Sequence, residues 1–428
     1  MRWLIKGGRV VDPSQNLDEV LDILIEEDTI KAIEKNISVS DIEVIDAKGK
    51  IVTPGLIDIH THLREPGFEY KEDIESGLMA AVAGGFTAVC CMANTSPVND
   101  NQEVTRYLLK RASDCHLAKL YPIGAVSKRL EGKEMAPIGE LKEAGVVALS
   151  DDGNPIADSG FLRRALEYAK YFNLPIISHA EDKTIAPFGV MNEGELSTKL
   201  GLSGIPAQAE EIMIFRDIKL AELTDWHIHI AHVSTAGGVK LIREAKERGI
   251  RVTAETCPHY FSLTEEAIRD FNTNAKVSPP LRTEKDIEAI KEGLKDGTID
   301  VIATDHAPHH PLEKEVPFEE APNGIIGLET ALPISLKLVE TGTLSLSKLI
   351  AKMSYLPAKI FNLPGGTLKP ASPADITIID PDICYCIDVN MFFSKARNCP
   401  FDGWKVKGKA ILVMVNGKVV YTMHSFTV

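Results

Sequence analysis

Leu56-Ile57-Asp58-Ile59-His60-Thr61-His62-Leu63-Arg64-Glu65-Pro66-Gly67 is an apolar run that ends in two histidines one residue apart. Side chains of a strand alternate between its faces, so His60 and His62 point the same way and can grip one metal ion. Arg64 is next in that phase, and the turn signalled by Pro66-Gly67 lets its guanidinium swing over the ion instead of continuing the ladder. A cation beside a metal suggests an anionic substrate. Seven further apolar runs follow, at 86–92, 119–125, 146–151, 175–179, 227–233, 251–257 and 300–304, with helical patterns between them. Eight strands alternating with helices predict an α/β fold, a closed parallel (β/α)8 barrel of TIM type.

Outside this repeat the texture is β. The first fifty-odd residues alternate in short runs broken by Gly7-Gly8, Asp12-Pro13-Ser14 and Lys48-Gly49-Lys50. After Gly366 the same texture returns at 374–380, 409–415 and 418–421, and Asn416-Gly417 between the last two is a strong hairpin signal. Both ends are small, so they are expected to pair into one β-sandwich beside the barrel. The division is then 1–53 and 366–428 for the sandwich and 54–365 for the barrel.

Composition fits a large soluble enzyme, with 428 residues of which 44% are apolar and 25% charged. The formal charge of -14 argues against nucleic acid or an anionic membrane as partner. No run approaches the roughly 18 apolar residues of a membrane helix, and the start is too short in its apolar part for a signal peptide, which places the chain in the cytoplasm. The seven cysteines form no CxxC pair and read as reduced thiols, Cys90 and Cys91 as buried small hydrophobes.

Active sites of such barrels sit at the C-terminal ends of the strands. Strand one ends in His60 and His62, strand four in Asp151-Asp152-Gly153, strand five in Ser178-His179-Ala180-Glu181, strand six in His232 and strand eight in Thr304-Asp305-His306. Four histidines and two carboxylates converge around one point. Such ligands suit zinc or a similar divalent ion, and two ions can share a bridging carboxylate. His227 and His229 read as filling the barrel wall or interior, and His116 and His424 as surface residues. His306 points to the opposite face from Asp305, which suits packing or support.

The segments His60 to Gly67, Ser150 to Gly153, Ser178 to Asp182, Ala231 to Ser234, Pro279 to Arg282, Ala303 to His309, Gly324 to Thr330 and Gly366 to Asp375 together carry a resemblance. The sequence resembles the dihydroorotase family of the amidohydrolase superfamily, in its bacterial long-chain type I form, essentially end to end. That resemblance implies reversible, zinc-dependent cyclisation of N-carbamoyl-L-aspartate to L-dihydroorotate in pyrimidine (UMP) biosynthesis. It also implies one or two Zn2+ per subunit, two being favoured. His60 and His62 would hold one ion, His179 and His232 the second, and Asp152 would bridge them. Many relatives bridge with a carboxylated lysine, and Ala148-Leu149-Ser150-Asp151-Asp152 offers none. Asp305 would sit beside the metal as a ligand and serve as base and then acid.

By the same resemblance Arg64 makes a two-pronged pair with the substrate's α-carboxylate. His62, Asn94, Ser278, His309, Asn323 and Gly324 complete the substrate contacts. The charged, proline-punctuated segment 309–324 reads as a lid or binding loop. Two positions depart from the family pattern. Ser278 stands where asparagine is usual, which predicts a lost or water-mediated ring contact, and Ala93 replaces a proline, which predicts a looser loop presenting Asn94. Competing readings are another cyclic amidase, a hydantoinase or allantoinase, and a non-catalytic scaffold for aspartate transcarbamoylase. A homodimer and a transcarbamoylase complex are the assemblies the resemblance brings with it.

Overall fold

The computed structural model describes residues 2–423 and 425–426. Eight parallel strands stand side by side in chain order: β1 (Leu56–Thr61), β2 (Phe86–Cys91), β3 (Lys119–Gly124), β4 (Ala148–Ser150), β5 (Ile176–Ser178), β6 (Ile228–Ile230), β7 (Val252–Thr256) and β8 (Val301–Ile302). The ring closes just past the ends of β1 and β8, where Thr61 bridges His306 and the His62 N–H donates to the His306 carbonyl at 2.8 Å. Helices on the outside turn an apolar stripe inward, as Gln102–Cys115 does with Val104, Leu108 and Ala112. Their starts are capped by short polar side chains, with Asp73, Asn101, Asp158 and Thr235 each accepting from an amide in the first turn.

Every barrel strand ends one to three residues short of the sequence reading. β1 ends at Thr61 and β8 spans only Val301–Ile302, because the polar residues that follow leave the ladder and turn into the barrel mouth.

The two chain ends combine as expected, into a sheet of nine strands among the described residues. Its middle strands are Arg2–Asp12 and Ile51–Pro54, and the latter pairs antiparallel with Ile376–Cys386, Val52 facing Ile378. Ile5, Val10, Ile25, Val52, Ile376, Ile378 and Met414 share one buried cluster, so both ends fill the same core. The Asn416-Gly417 hairpin is present, with φ of 47° and 71°, the left-handed pair that a tight two-residue turn requires. Ile51–Pro54 runs into β1 through Gly55, where an added Cβ would lie 2.0 Å from Thr87 Oγ1. Sheet and barrel are thus locked together directly beneath the first pair of histidines.

Among the described residues no helix is long and apolar enough to cross a membrane. Cys90 and Cys91 are buried thiols, and burial pushes the Cys91 pKa up to about 11.

Candidate active site

The strand ends bring His60, His62, Asp152, His179, His232 and Asp305 to one focus. Asp152 Oδ1 lies 3.5 Å from His60 Nε2, 3.5 Å from His179 Nδ1 and 3.6 Å from His232 Nε2, while its Oδ2 lies 3.5 Å from His62 Nε2. Asp305 Oδ1 sits 3.4 Å from His60 Nε2 and 3.1 Å from His62 Nε2. His179 Nδ1 and His232 Nε2 are 2.8 Å apart. Two groups within this cluster, His60 with Asp152 and His232, and His60 with His62 and Asp305, have the spacing of metal ligands.

The residues fit a divalent cation. His60 Nε2 and Asp152 Oδ1 are buried and without a hydrogen-bond partner, at a cost of about 1–3 kcal/mol for each buried group left unsatisfied. Burial alone would lower the His60 pKa, yet Glu255, Asp152 and Asp305 raise it well above the ordinary histidine value. Burial disfavours the Asp305 carboxylate, but His60 and His62 outweigh it and hold its pKa below the usual aspartate range. Asp152 is held well below by His60, His179 and His232 in the same way. The pocket therefore concentrates negative charge on bare lone pairs, which a dication neutralises without protonating the imidazoles.

Three of the inward-turning residues have left-handed backbones: Arg64 at φ 65°, His232 at 36° and Asp305 at 49°. For side chains other than glycine this costs on the order of 1–3 kcal/mol each, and such strain collects at functional sites. Asp58 offsets part of it at β8, since its carboxylate accepts from Thr304 N, Thr304 Oγ1 and His60 N, tying β1 to the residue before Asp305.

Neighbouring histidines and acids sort cleanly. Asp151 faces away from the focus and accepts from Val126 N, Ser127 N and Ser127 Oγ, bracing the chain after β3. His306 Nδ1 accepts from Gly327 N at 3.2 Å while Nε2 faces Glu72, a supporting role. His229 lies inside the barrel, His227 is half-buried in its wall, and His116 is exposed; His424 lies outside the described residues. Glu255 had no place in the sequence reading. It is fully buried on β7 and takes His60 Nδ1 at its carboxylate, and its only signal was an acid inside an otherwise apolar strand.

A cleft of about 420 Å3 opens above the focus, and His62, Arg64, Asn94, Ser278, His309, Asn323 and Gly324 all line it together with Asp152 and Asp305. The acids next to Arg64 are engaged elsewhere. Glu65 pairs with Arg111 at 2.8 Å and Glu69 accepts from Gly67 N. Arg64 Nε donates to the Pro308 carbonyl at 3.0 Å, and no carboxylate pairs with its guanidinium among the described residues. Asn94 Oδ1 accepts from His62 Nδ1 at 2.9 Å, which turns Nε2 of that ring toward the focus. Around Ala93 the loop is held by main-chain bonds: Thr95 N and Asn99 N both donate to the Ala93 carbonyl and Ser96 N to that of Pro66. Ser278 Oγ donates to Glu181 at 3.3 Å, and Glu181 in turn faces His179 Nε2 at 3.2 Å, so this hydroxyl supports a histidine of the focus.

Segment 309–324 is stapled down. Lys314, 5% exposed, donates to the carbonyls of Thr273 and Pro322, and Lys276 donates to those of Phe318 and Glu319. Burial, with Lys276 and Arg64 nearby, brings the Lys314 pKa down to about 7. His309 Nε2 donates to the Asn323 carbonyl at 2.9 Å, while Gly324 N–H is committed to the Lys276 carbonyl.

Asn398, from the C-terminal stretch, completes this wall. Its Nδ2 donates to the carbonyls of Ala307 and Gly324, and its Oδ1 accepts from His309 N at 3.1 Å. Asn398→Ala is expected to raise the substrate KM about tenfold, the loss of roughly 1.4 kcal/mol of held geometry, with metal content unchanged. Steady-state kinetics beside a metal count checks this; an unaltered KM in the folded variant would refute it.

Comparisons with known proteins agree with this geometry. The model of the amidohydrolase family matches residues 51–420. A dihydroorotase of Syntrophotalea carbinolica is 57% identical over 423 residues, covering 99% of this chain and 100% of that protein. One of Syntrophus aciditrophicus is 56% identical over 423 residues, covering 98% and 99%. Among solved structures, an L-hydantoinase (dihydropyrimidinase) from Arthrobacter aurescens superposes with a TM-score of 0.89 at 28% identity, covering 100% of this chain and 97% of that one. The dihydropyrimidinase of Brevibacillus agri gives 0.86 at 27%, covering 100% and 96%. The sequence likeness is twice as high toward the first group as toward the second, and the chain belongs to the amidohydrolase family, within it to the dihydroorotases.

Proposed function

We propose that this chain closes N-carbamoyl-L-aspartate to L-dihydroorotate and reopens it. The observation that carries the reading is Arg64, a guanidinium without a carboxylate partner among the described residues, in a cleft that His62, His232, Asp152 and Asp305 also line. We assign His60, His62 and Asp305 to one zinc-like ion and His179 and His232 to a second, with Asp152 between them. Bound there, the ions supply Lewis acidity, polarising the ring carbonyl and bringing the pKa of water down toward about 7.

The chain's own groups do the rest. Arg64 takes the α-carboxylate through its free N–H groups, and His309 and Asn94 flank it, fixing the ring over Asp305. His309 is neutral, because burial with Arg64, Lys314 and Lys71 nearby lowers its pKa to about 3. Its one N–H goes to the Asn323 carbonyl, so it adds no charge beside Arg64 and holds the cleft wall there. In hydrolysis the attacking water adds to the ring amide carbon and gives one proton to the Asp305 carboxylate. The C–N bond then breaks, and Asp305 returns that proton to the departing nitrogen. Cyclisation reverses the order.

A hydantoinase reading draws on the fold likeness, and Arg64 weighs against it, because a plain hydantoin ring offers it no carboxylate. Assays of the metal-loaded protein on dihydroorotate, hydantoin and allantoin, beside a metal count, decide between them. Dihydroorotate is expected to be turned over with the highest kcat/KM. Preference for either neutral ring would overturn the proposal.

A further inference from the structure

Beneath the site, the barrel interior carries a single file of hydrogen-bonding side chains. His60 Nδ1 meets Glu255 Oε1 at 2.5 Å, and Glu255 Oε2 lies 3.2 Å from His229 Nε2. His229 Nδ1 is 2.7 Å from Thr253 Oγ1, which is also 2.7 Å from His227 Nε2. The placement follows from register. His229 on β6 pairs with Thr253 on β7, and the two-residue repeat puts His227 with His229 and Thr253 with Glu255 on one side of each strand.

Hydrogens fit this file in one consistent way. An ionised carboxylate only accepts, so His60 Nδ1 and His229 Nε2 both donate to Glu255. With its Nε2 proton on Glu255, His229 accepts at Nδ1 from the Thr253 hydroxyl, and the oxygen of that hydroxyl accepts from His227 Nε2. His227 is kept neutral by burial, its pKa near 3. No link lacks a proton and none has two. At the upper end His60 is left with Nε2 aimed at Asp152 and Asp305.

We propose that Glu255, braced by His229, Thr253 and His227, is a positioning residue that fixes the ring of His60 and keeps its proton on Nδ1, leaving Nε2 free for a metal ion. The inference rests on the reading of His60 as a ligand. Glu255 itself does not line the cleft, so it acts through His60 and not on substrate. A glutamine in its place keeps the shape but offers one accepting oxygen, with an NH2 group where the second stood. One imidazole N–H is then left facing a donor. Because Thr253 holds His229 from its far side, the mismatch falls on His60.

Zinc affinity of the full chain, measured by competition with a chromogenic chelator, is expected to fall about 10–100-fold in Glu255→Gln. Thr253→Val, which removes the hydroxyl and keeps the shape, is expected to lower it about threefold, since of the two bonds it deletes only the one to His229 bears on Glu255. In metal-free protein labelled with 15N-histidine, the wild type should show downfield imidazole N–H protons from the two bonds to Glu255, and Glu255→Gln should lose the one on His60. Wild-type affinity with an unchanged His60 signal in folded Glu255→Gln would overturn the proposal. If that variant does not fold, unchanged affinity in Thr253→Val would do so. Should the wild-type chain take up no zinc, the ligand reading fails, and the metal-free spectra still judge Glu255.

Discussion

Asp305→Asn is expected to slow dihydroorotate hydrolysis and carbamoyl aspartate cyclisation alike by at least about 10^3-fold, within the range that removing a positioned acid–base group costs. An amide can neither take the proton of the attacking water nor return it to the ring nitrogen. The loss should fall on kcat, because the groups assigned to the substrate carboxylate are untouched. Metal content should change little, since four histidines and Asp152 remain at the focus. Steady-state rates in both directions beside a metal count test this; a variant working at near wild-type speed would remove Asp305 from the proton path.

Arg64→Met should act on binding. The guanidinium is largely buried and has no other carboxylate to neutralise it, so truncation leaves the substrate's carboxylate unpaired in a confined cleft. Losing such a charge-assisted pair costs about 2–5 kcal/mol, and a rise of at least about 10^2-fold in KM for carbamoyl aspartate is expected. An uncharged cyclic imide should be affected far less. Equal effects on both compounds would show that Arg64 shapes the cleft without reading charge.

The alternation of strand and helix, and the pairing of the two ends, were legible because each rests on local periodicity. His60, His62, His179, His232, Asp152 and Asp305 were legible for a related reason: polar residues at the ends of apolar strands stand out, and the barrel converts linear position into convergence. Choosing Asp152 over Asp151 rested on the family resemblance alone, since adjacent residues on one loop differ only in where the backbone aims them; the structure turns Asp152 to the focus and Asp151 away. Glu255 was passed over because its meaning comes from His60, nearly two hundred residues away. Lys276 and Lys314 carried no signal either: Lys314 lies in the charged segment 309–324 and Lys276 in a polar loop before it, while in the fold their ammonium groups turn inward to main-chain carbonyls. Asn398 carried no signal at all, for an asparagine becomes informative only when three backbone groups of a distant loop surround it.

Asn398 also sets an order in time. Every residue assigned to the metal ions has been synthesised once Asp305 is made, but the wall that holds His309 and Gly324 waits for Asn398. At about 5–20 residues per second the interval is roughly 5–20 s. The wall of the substrate cleft is thus finished by a residue made after every group assigned to the ions.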